Sequence, residues 1–214
     1  MKKLNLIITL IMLCLFIKVP LSAFNWDNPD FGQDGMAGLT DSEKNELKNG
    51  RIVFSATDKE KDNSMIEATI IFNKPPEEVW DMLSKTEEQI KYLKEVNKIK
   101  LIDRNCNTDT MWFQLKIILF TLRYQINHHY NKDYMCFYWS LDPSYKSDFR
   151  ELKGFWKFYP YENNKTVARY GSLVNIKFLP LWLQDAIKKK GVEKALNSVK
   201  CYVDSGGTCK RKGY

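Results

Sequence analysis

IIFNKPPEEVW, Ile70 to Trp80, changes character in its middle. Up to Phe72 it is apolar and β-branched, and it closes an alternating run that begins at Met65, which is strand chemistry. Asn73-Lys74-Pro75-Pro76 then breaks the strand, because proline has no N–H to give to a ladder. Pro76 suits the first turn of a helix, where a missing N–H costs nothing. Glu77 and Glu78 complement the helix dipole there, and Val79, Trp80 and Leu83 make one apolar stripe.

Upstream, Arg51 to Ala56 (RIVFSA) reads as a strand that pairs with the first across a charged turn at Asp58 to Asn63. Thr40-Asp41-Ser42-Glu43 is a capping box, so a short helix is expected to run to about Asn49 and to stop at Gly50. Downstream, a second short helix from Thr86 carries Ile90 and Leu93. From Val96 the pattern is β throughout. The expected strands are Ile99–Ile102, Met111–Ile118, Leu122–Tyr130, Tyr134–Leu141, Arg150–Tyr159 and Thr166–Ile176. Polar turns at Asn105–Asp109 and Asn131–Asp133, and loops at Asp142–Ser144 and Pro160–Lys165, separate them. After Pro180, Leu183, Ile187, Val192, Leu196 and Val199 fall on helical spacing, which predicts one long helix over Leu181–Val203.

The expected fold class is therefore α+β: a hairpin, two short helices, six antiparallel strands and a long C-terminal helix. Such a sheet must curve around its one covering helix to bury both apolar faces. A curved sheet and a helix of fixed radius rarely fill the space between them, so an interior cavity is expected.

The chain has 214 residues, of which 44% are hydrophobic and 28% charged, which excludes a disordered chain, a collagen and a coiled coil. Aromatic residues reach 14%, which favours a β-rich fold with a large interior. Met1 to Ala23 has two lysines, an apolar run from Leu4 to Ile17 and a small residue at Ala23, the pattern of a secretory signal peptide. An uncleaved anchor is the alternative. Export would place the protein in the periplasm or outside the cell. The segment holds three lysines and no acid, so its removal lowers the net charge from +7 to +4. That balance does not mark a nucleic-acid binder. Residues 24–38, rich in Gly, Asn, Asp and Pro, read as a linker, and residues 204–214 as a C-terminal tail.

Four cysteines remain after the leader, and three pairings are open. Cys201 with Cys209 closes the shortest loop, across Gly206 and Gly207; free buried thiols are the alternative. No C-x-x-C occurs. His128 and His129 are adjacent on a strand and point to opposite faces, so they cannot share one metal. No metal and no cofactor is expected.

Several stretches together resemble the START-like (SRPBCC) superfamily, the helix-grip fold of lipid-transfer domains and polyketide cyclases. Ile70 to Trp80 resembles its strand-to-helix passage, Gly154-Phe-Trp156-Lys-Phe158-Tyr-Pro160 its G-x-W strand, and Lys165 to Tyr170 the strand after it. Leu179-Pro180-Leu-Trp182-Leu183 resembles the approach to its long helix, and Leu39 to Val53 the prefix of exported members. The resemblance spans residues 39 to 203. It implies a hydrophobic cavity between the sheet and the C-terminal helix, which in members of the superfamily holds sterols, phospholipids, quinones or polyketides. A minority are enzymes, with no shared catalytic set, so no catalytic residue is carried over.

The candidate lining is Trp112, Tyr124, His128, Tyr138, Trp156, Tyr170, Leu183 and Ile187. Rigid aromatic walls with a few polar tips suit an apolar ligand, and ordinary core packing is the alternative for each. Parity puts Leu122, Tyr124, Ile126 and His128 on one face, and Gly154, Trp156 and Phe158 on one face. Gly154 would leave room for a ligand or for the helix. Arg123, Arg150 and Arg169 would suit an acidic headgroup if they pointed inward. Lys188 to Lys190, Lys194 and Lys200 make one side of the last helix basic, which suits transient contact with an anionic membrane surface. The expected partner is a hydrophobic small molecule or lipid, bound or transferred, and no nucleic acid. The alternative is a cyclase- or hydrolase-like enzyme on a polyketide or isoprenoid substrate, with His128, Tyr124 or Arg169 as acid–base groups.

Overall fold

The computed structural model describes residues 24–56, 65–117, 120–179 and 181–214, with the backbone alone for 181–189. The signal segment, the turn at Asp58–Asn63 and Pro180 lie outside the described residues.

Helix α1 (Asp41–Lys48) starts at the predicted capping box: Glu43 N donates to Thr40 Oγ1 (3.3 Å) and Thr40 N to Glu43 Oε2 (2.8 Å). Gly50 ends the turn at φ 79°, a backbone setting that favours glycine. Strands β1 (Val53–Ala56) and β2 (Ile66–Phe72) form the first hairpin. Helix α2 (Pro76–Leu83) buries Val79, Trp80 and Leu83, and after a 3-10 turn at Thr86–Glu88 the short α3 (Gln89–Tyr92) follows. Strands β3 (Val96–Arg104), β4 (Thr108–Ile117), β5 (Phe120–Asn131), β6 (Cys136–Leu141), β7 (Phe149–Tyr161) and β8 (Lys165–Ile176) then run as an antiparallel meander. Helix α4 (Leu181–Asp204) closes the chain.

The eight strands form one curved sheet in the order β1-β2-β8-β7-β6-β5-β4-β3. The crossing through α2 and α3 carries the chain from β2 to the far edge, and the meander returns β8 to β2's side. Both termini of the meander therefore deliver helices to the same concave face. On that face Ala68, Ile70 and Phe72 of β2 pack with Trp80 of α2 and with Leu196, Val199 and Val203 of α4. Farther along it Met111, Phe113, Leu122, Tyr124, Ile126, Phe149 and Ile176 form a second cluster on β4, β5, β7 and β8.

Some expectations of extent change, and strand β3 runs Val96–Arg104 rather than Ile99–Ile102. Strand β6 begins at Cys136, not Tyr134, because the turn continues through exposed Tyr134 to Met135, whose φ is 46° and whose N bonds Lys132 O at 3.0 Å. Residues 24–38 are not a free linker. Phe31 and Met36, with Leu39, are buried against Ile71, Phe155, Tyr159 and Val167 on the convex face. Loop-forming composition and a few well-placed apolar side chains coexist there, and burial of the latter fixes the segment.

Candidate functional site

Between α4 and strands β4–β8 lies a cavity of about 280 Å³. Its floor is Phe113 and Leu115 of β4, Tyr124, Ile126 and His128 of β5, Phe137 and Trp139 of β6, Leu152 and Trp156 of β7 and Tyr170, Ser172, Val174 and Ile176 of β8. Gly191, Val192, Ala195, Leu196 and Val199 of α4 form the roof, with Leu83, Tyr92 and Leu93 at one wall. The lining is overwhelmingly apolar, and the small Gly191 and Ala195 on the helix leave the space open.

Of the predicted lining residues, Tyr124, His128, Trp156 and Tyr170 do meet here. The side chains of Leu183 and Ile187 lie outside the described residues. Trp112 does not line the cavity: Met111 and Phe113 take the concave face of β4, and Trp112, on the other face, donates from Nε1 to Tyr145 Oη (2.8 Å). Tyr138 does not either; it stacks on His129 (ring centroids 4.6 Å apart) on the convex side, while Phe137 and Trp139 face in. The register His128↔Trp139 and Phe137↔Trp156 sets that parity. Gly154 is needed for Trp139, whose indole occupies the place a Cβ would take, rather than for a ligand or the helix.

Arg169 is also on the convex side. It bonds Glu67 Oε2 (3.4 Å) and the Gly35 and Ala37 carbonyls (both 3.3 Å), and its guanidinium lies 3.9 Å from the Phe31 ring centroid. Burial lowers its pKa and raises that of Glu67; through its bonds to Gly35 and Ala37, Arg169 clamps the N-terminal segment, and it takes no part in the cavity. Arg123 and Arg150 are exposed. Lys200 is drawn inward to Ile71 O (2.5 Å) and Asp204 (2.7 Å), and so is not free on a basic helix face.

The polar feature of the cavity is His128, 2% exposed. Its Nδ1 sits 2.7 Å from Asp109 Oδ1, and Asp109 is itself 2% exposed. Tyr130 Oη donates to Asp109 Oδ2 (2.9 Å), as does Arg104 Nη2 (3.3 Å), and Arg104 also reaches Glu87 (2.6 Å). Burial alone would raise the Asp109 carboxyl, but the bonds from His128, Tyr130 and Arg104 outweigh it and hold it below the usual carboxylate range. Asp109 and Tyr130 line a second, polar hollow of about 570 Å³, with Lys85, Glu87, Arg104 and Lys132 around it. His128 and Asp109 thus stand between an apolar chamber and a polar one. Burial raises the hydroxyls of Tyr124 and Tyr170, which stay protonated. Asp109, at the edge of a polar turn in the sequence, was legible only as the residue two before Met111, on the same strand face; its pairing with His128 across β4 and β5 is a matter of register.

Among the described residues no group of three His, Cys, Asp or Glu side chains is placed to hold a metal ion. None of their helices is long and apolar enough to cross a membrane. The structure joins Cys201 to Cys209, with Cα atoms 5.7 Å apart; Cys106 is free and exposed, and Cys136 is free and buried.

No family model matches the sequence, and no curated protein matches it. Solved structures do. A STAR-related lipid transfer protein from Xanthomonas axonopodis is 11% identical, covers 71% of this chain and 93% of its own, and has a TM-score of 0.61. A START superfamily protein from Mycobacterium smegmatis is 13% identical, with 67% and 99% covered and a TM-score of 0.58. The Zhui aromatase/cyclase from a Streptomyces species is 9% identical, with 64% and 92% covered and a TM-score of 0.58. With its sheet order, its covering helix and these likenesses, the chain has the START-like, helix-grip fold.

Proposed function

We propose that this protein binds a hydrophobic molecule, a lipid by class, in the chamber under α4 and carries it between membranes. The observation that carries the reading is the apolar lining of that chamber, from Phe113 to Val199. A ligand hiding ~400 Å² of apolar surface there gains on the order of 10 kcal/mol before entropy costs. Exposed Leu101, Ile102, Phe120 and Phe178 support transient contact with a membrane surface, Phe120 and Phe178 being in mutual ring contact at 6.2 Å. The leader at Met1–Ala23 supports export to the periplasm or beyond.

The test is transfer of a fluorescent phospholipid from donor to acceptor vesicles. The expected result is a rate that rises in proportion to protein added. Binding without any acceleration would remove the transfer reading. For export, the mass of the protein recovered from outside the inner membrane is expected to lack the first 23 residues' contribution.

A second reading, acid–base catalysis in the same chamber, is favoured by one observation, the His128–Asp109 pair. Arg169, which could have joined it, is on the other face of the sheet. The readings part on turnover: a carrier returns its extracted ligand unchanged in mass.

A further inference from the structure

One end wall of the chamber is held in place by the last residues of the chain. Tyr92, Leu93, Glu95 and Val96, from the end of α3 to the start of β3, line the cavity there. Helix α3 has only 4 residues, too few to be stable by itself, and its last carbonyls need partners from elsewhere. Arg211 supplies them. Its backbone N donates to Lys91 O (2.9 Å), and its Nη1 lies within bonding distance of Leu93 O (3.3 Å), Lys94 O (3.2 Å) and Val96 O (2.7 Å). Three carbonyls of one turn thus converge on a single guanidinium nitrogen, and a charged donor bonds more strongly than a neutral one. The Tyr214 ring centroid lies 4.4 Å from the same guanidinium.

The Cys201–Cys209 bond, just before Arg211 in the chain, fastens this tail to the end of the roof helix α4. The turn between the two cysteines runs through Gly206 and Gly207, at φ 63° and 87°. Its side-chain bonds, Thr208 Oγ1 to Ser205 O (3.1 Å) and Cys209 N to Ser205 Oγ (2.9 Å), are exposed. Exposed hydrogen bonds compete with water and fix a chain weakly, whereas a covalent link keeps Arg211 at high effective concentration over the wall. Cys201 is exposed and Cys209 half-buried, so a dithiol can reach the bond. One thiolate of the dithiol attacks a cysteine sulfur, forming a mixed disulfide and releasing the other cysteine as a thiol. Its second thiol then attacks the mixed disulfide and releases the first cysteine. Two electrons and two protons have passed to the protein, and the dithiol leaves as a disulfide. The Tyr92–Tyr202 stack (ring centroids 4.3 Å apart) and the burial of Leu196, Val199 and Val203 do not pass through this bond, so the fold outlasts its loss.

We propose that residues 205–214 are a redox-sensitive latch on the chamber. With the Cys201–Cys209 bond closed, Arg211 holds the wall from Tyr92 to Val96. Reduction by a dithiol frees the tail, the wall opens more often, and ligand enters and leaves faster. The lining is the same in both states, so affinity changes little. The inference rests on the cavity-binding reading above.

The test is stopped-flow uptake of Nile red by the protein, and its release to phosphatidylcholine vesicles, before and after treatment with dithiothreitol. Alkylation and mass measurement report the state of Cys201 and Cys209. Loss of one hydrogen-bonded clamp predicts that both rates rise by about five- to tenfold while the dissociation constant stays within about twofold. Arg211→Ala, with the disulfide intact, is expected to exchange dye as fast as the reduced wild type and to gain nothing further from the reductant. The double variant Cys201→Ser, Cys209→Ser is expected to be fast with or without it. Unchanged rates in a chain whose bond is shown to be reduced would overturn the proposal. So would an Arg211→Ala chain that dithiothreitol still speeds as much as wild type, because the bond would then act by another route. A reduced chain that loses its near-ultraviolet circular dichroism would make the bond a requirement of the fold and not a latch, and would overturn it too. If Nile red binds in neither state, the cavity reading fails and this inference with it; binding at equal rates in both states sinks this inference alone.

Discussion

Asp109 keeps its charge in a nearly closed setting because three donors face it. Its folded pKa lies below the unfolded one, so its stabilisation is present above about pH 4 and is lost as pH falls through the lower, folded value. Asp109→Asn is expected to cost about 2 kcal/mol at pH 7, since an amide leaves one donor unmatched. That gap from wild type should close on acidification below about pH 4, as urea unfolding at a series of pH values would show. A gap independent of pH would assign the cost to packing alone. Gly154→Ala places a methyl where the Trp139 indole and the Gly171 carbonyl now meet the backbone. A loss of about 1–3 kcal/mol and a shifted tryptophan emission are expected. At this scale the sequence was half legible. Tyr124, His128 and Trp156 were found because their neighbours at i±2 fix their face, and Tyr170 as one more aromatic position on a strand. Trp112 sits beside an equally aromatic Phe113, and Tyr138 between Phe137 and Trp139, so hydrophobicity alone gave no parity to choose by. Only the cross-strand register does.

Elements were legible in kind because their local chemistry is consistent. The capping box begins α1, Pro76 begins α2, and the alternation of Met111 to Tyr130 marks β4 and β5. What escaped was the role of residues 24–38, whose polar majority conceals Phe31 and Met36. The roof helix carries a direct prediction. Ala195 faces the cavity between Leu196 and Val192, and Ala195→Phe should fill it. The variant is expected to lose apolar-probe binding by about tenfold while its melting temperature stays within a few degrees of wild type, because the added ring occupies existing space. The end of the same helix is tied to its tail by Cys201–Cys209, eight residues apart. By loop entropy, replacing both with serine should cost about 2–3 kcal/mol, measurable by chemical denaturation. Of the two free thiols described, Cys106 is expected to react with an alkylating reagent in the native protein. Cys136, buried and pushed up to about 12, should react only on unfolding.

For the whole molecule, the order hairpin, two short helices, meander and final helix could be read from the chain, and it suffices to place α4 across the concave face. The cavity follows from that placement: α4 packs closely on β2 and β8 and leaves the farther strands β4 to β7 uncovered beneath it. The central claim is that this space holds a hydrophobic molecule in solution. Native mass spectrometry of the chain, expressed with its leader and purified without detergent, tests it most directly. The account predicts a species heavier than the polypeptide by one ligand, whose mass reappears unchanged in an organic extract. A population that is wholly apo, and stays so after incubation with a total lipid extract, would contradict it.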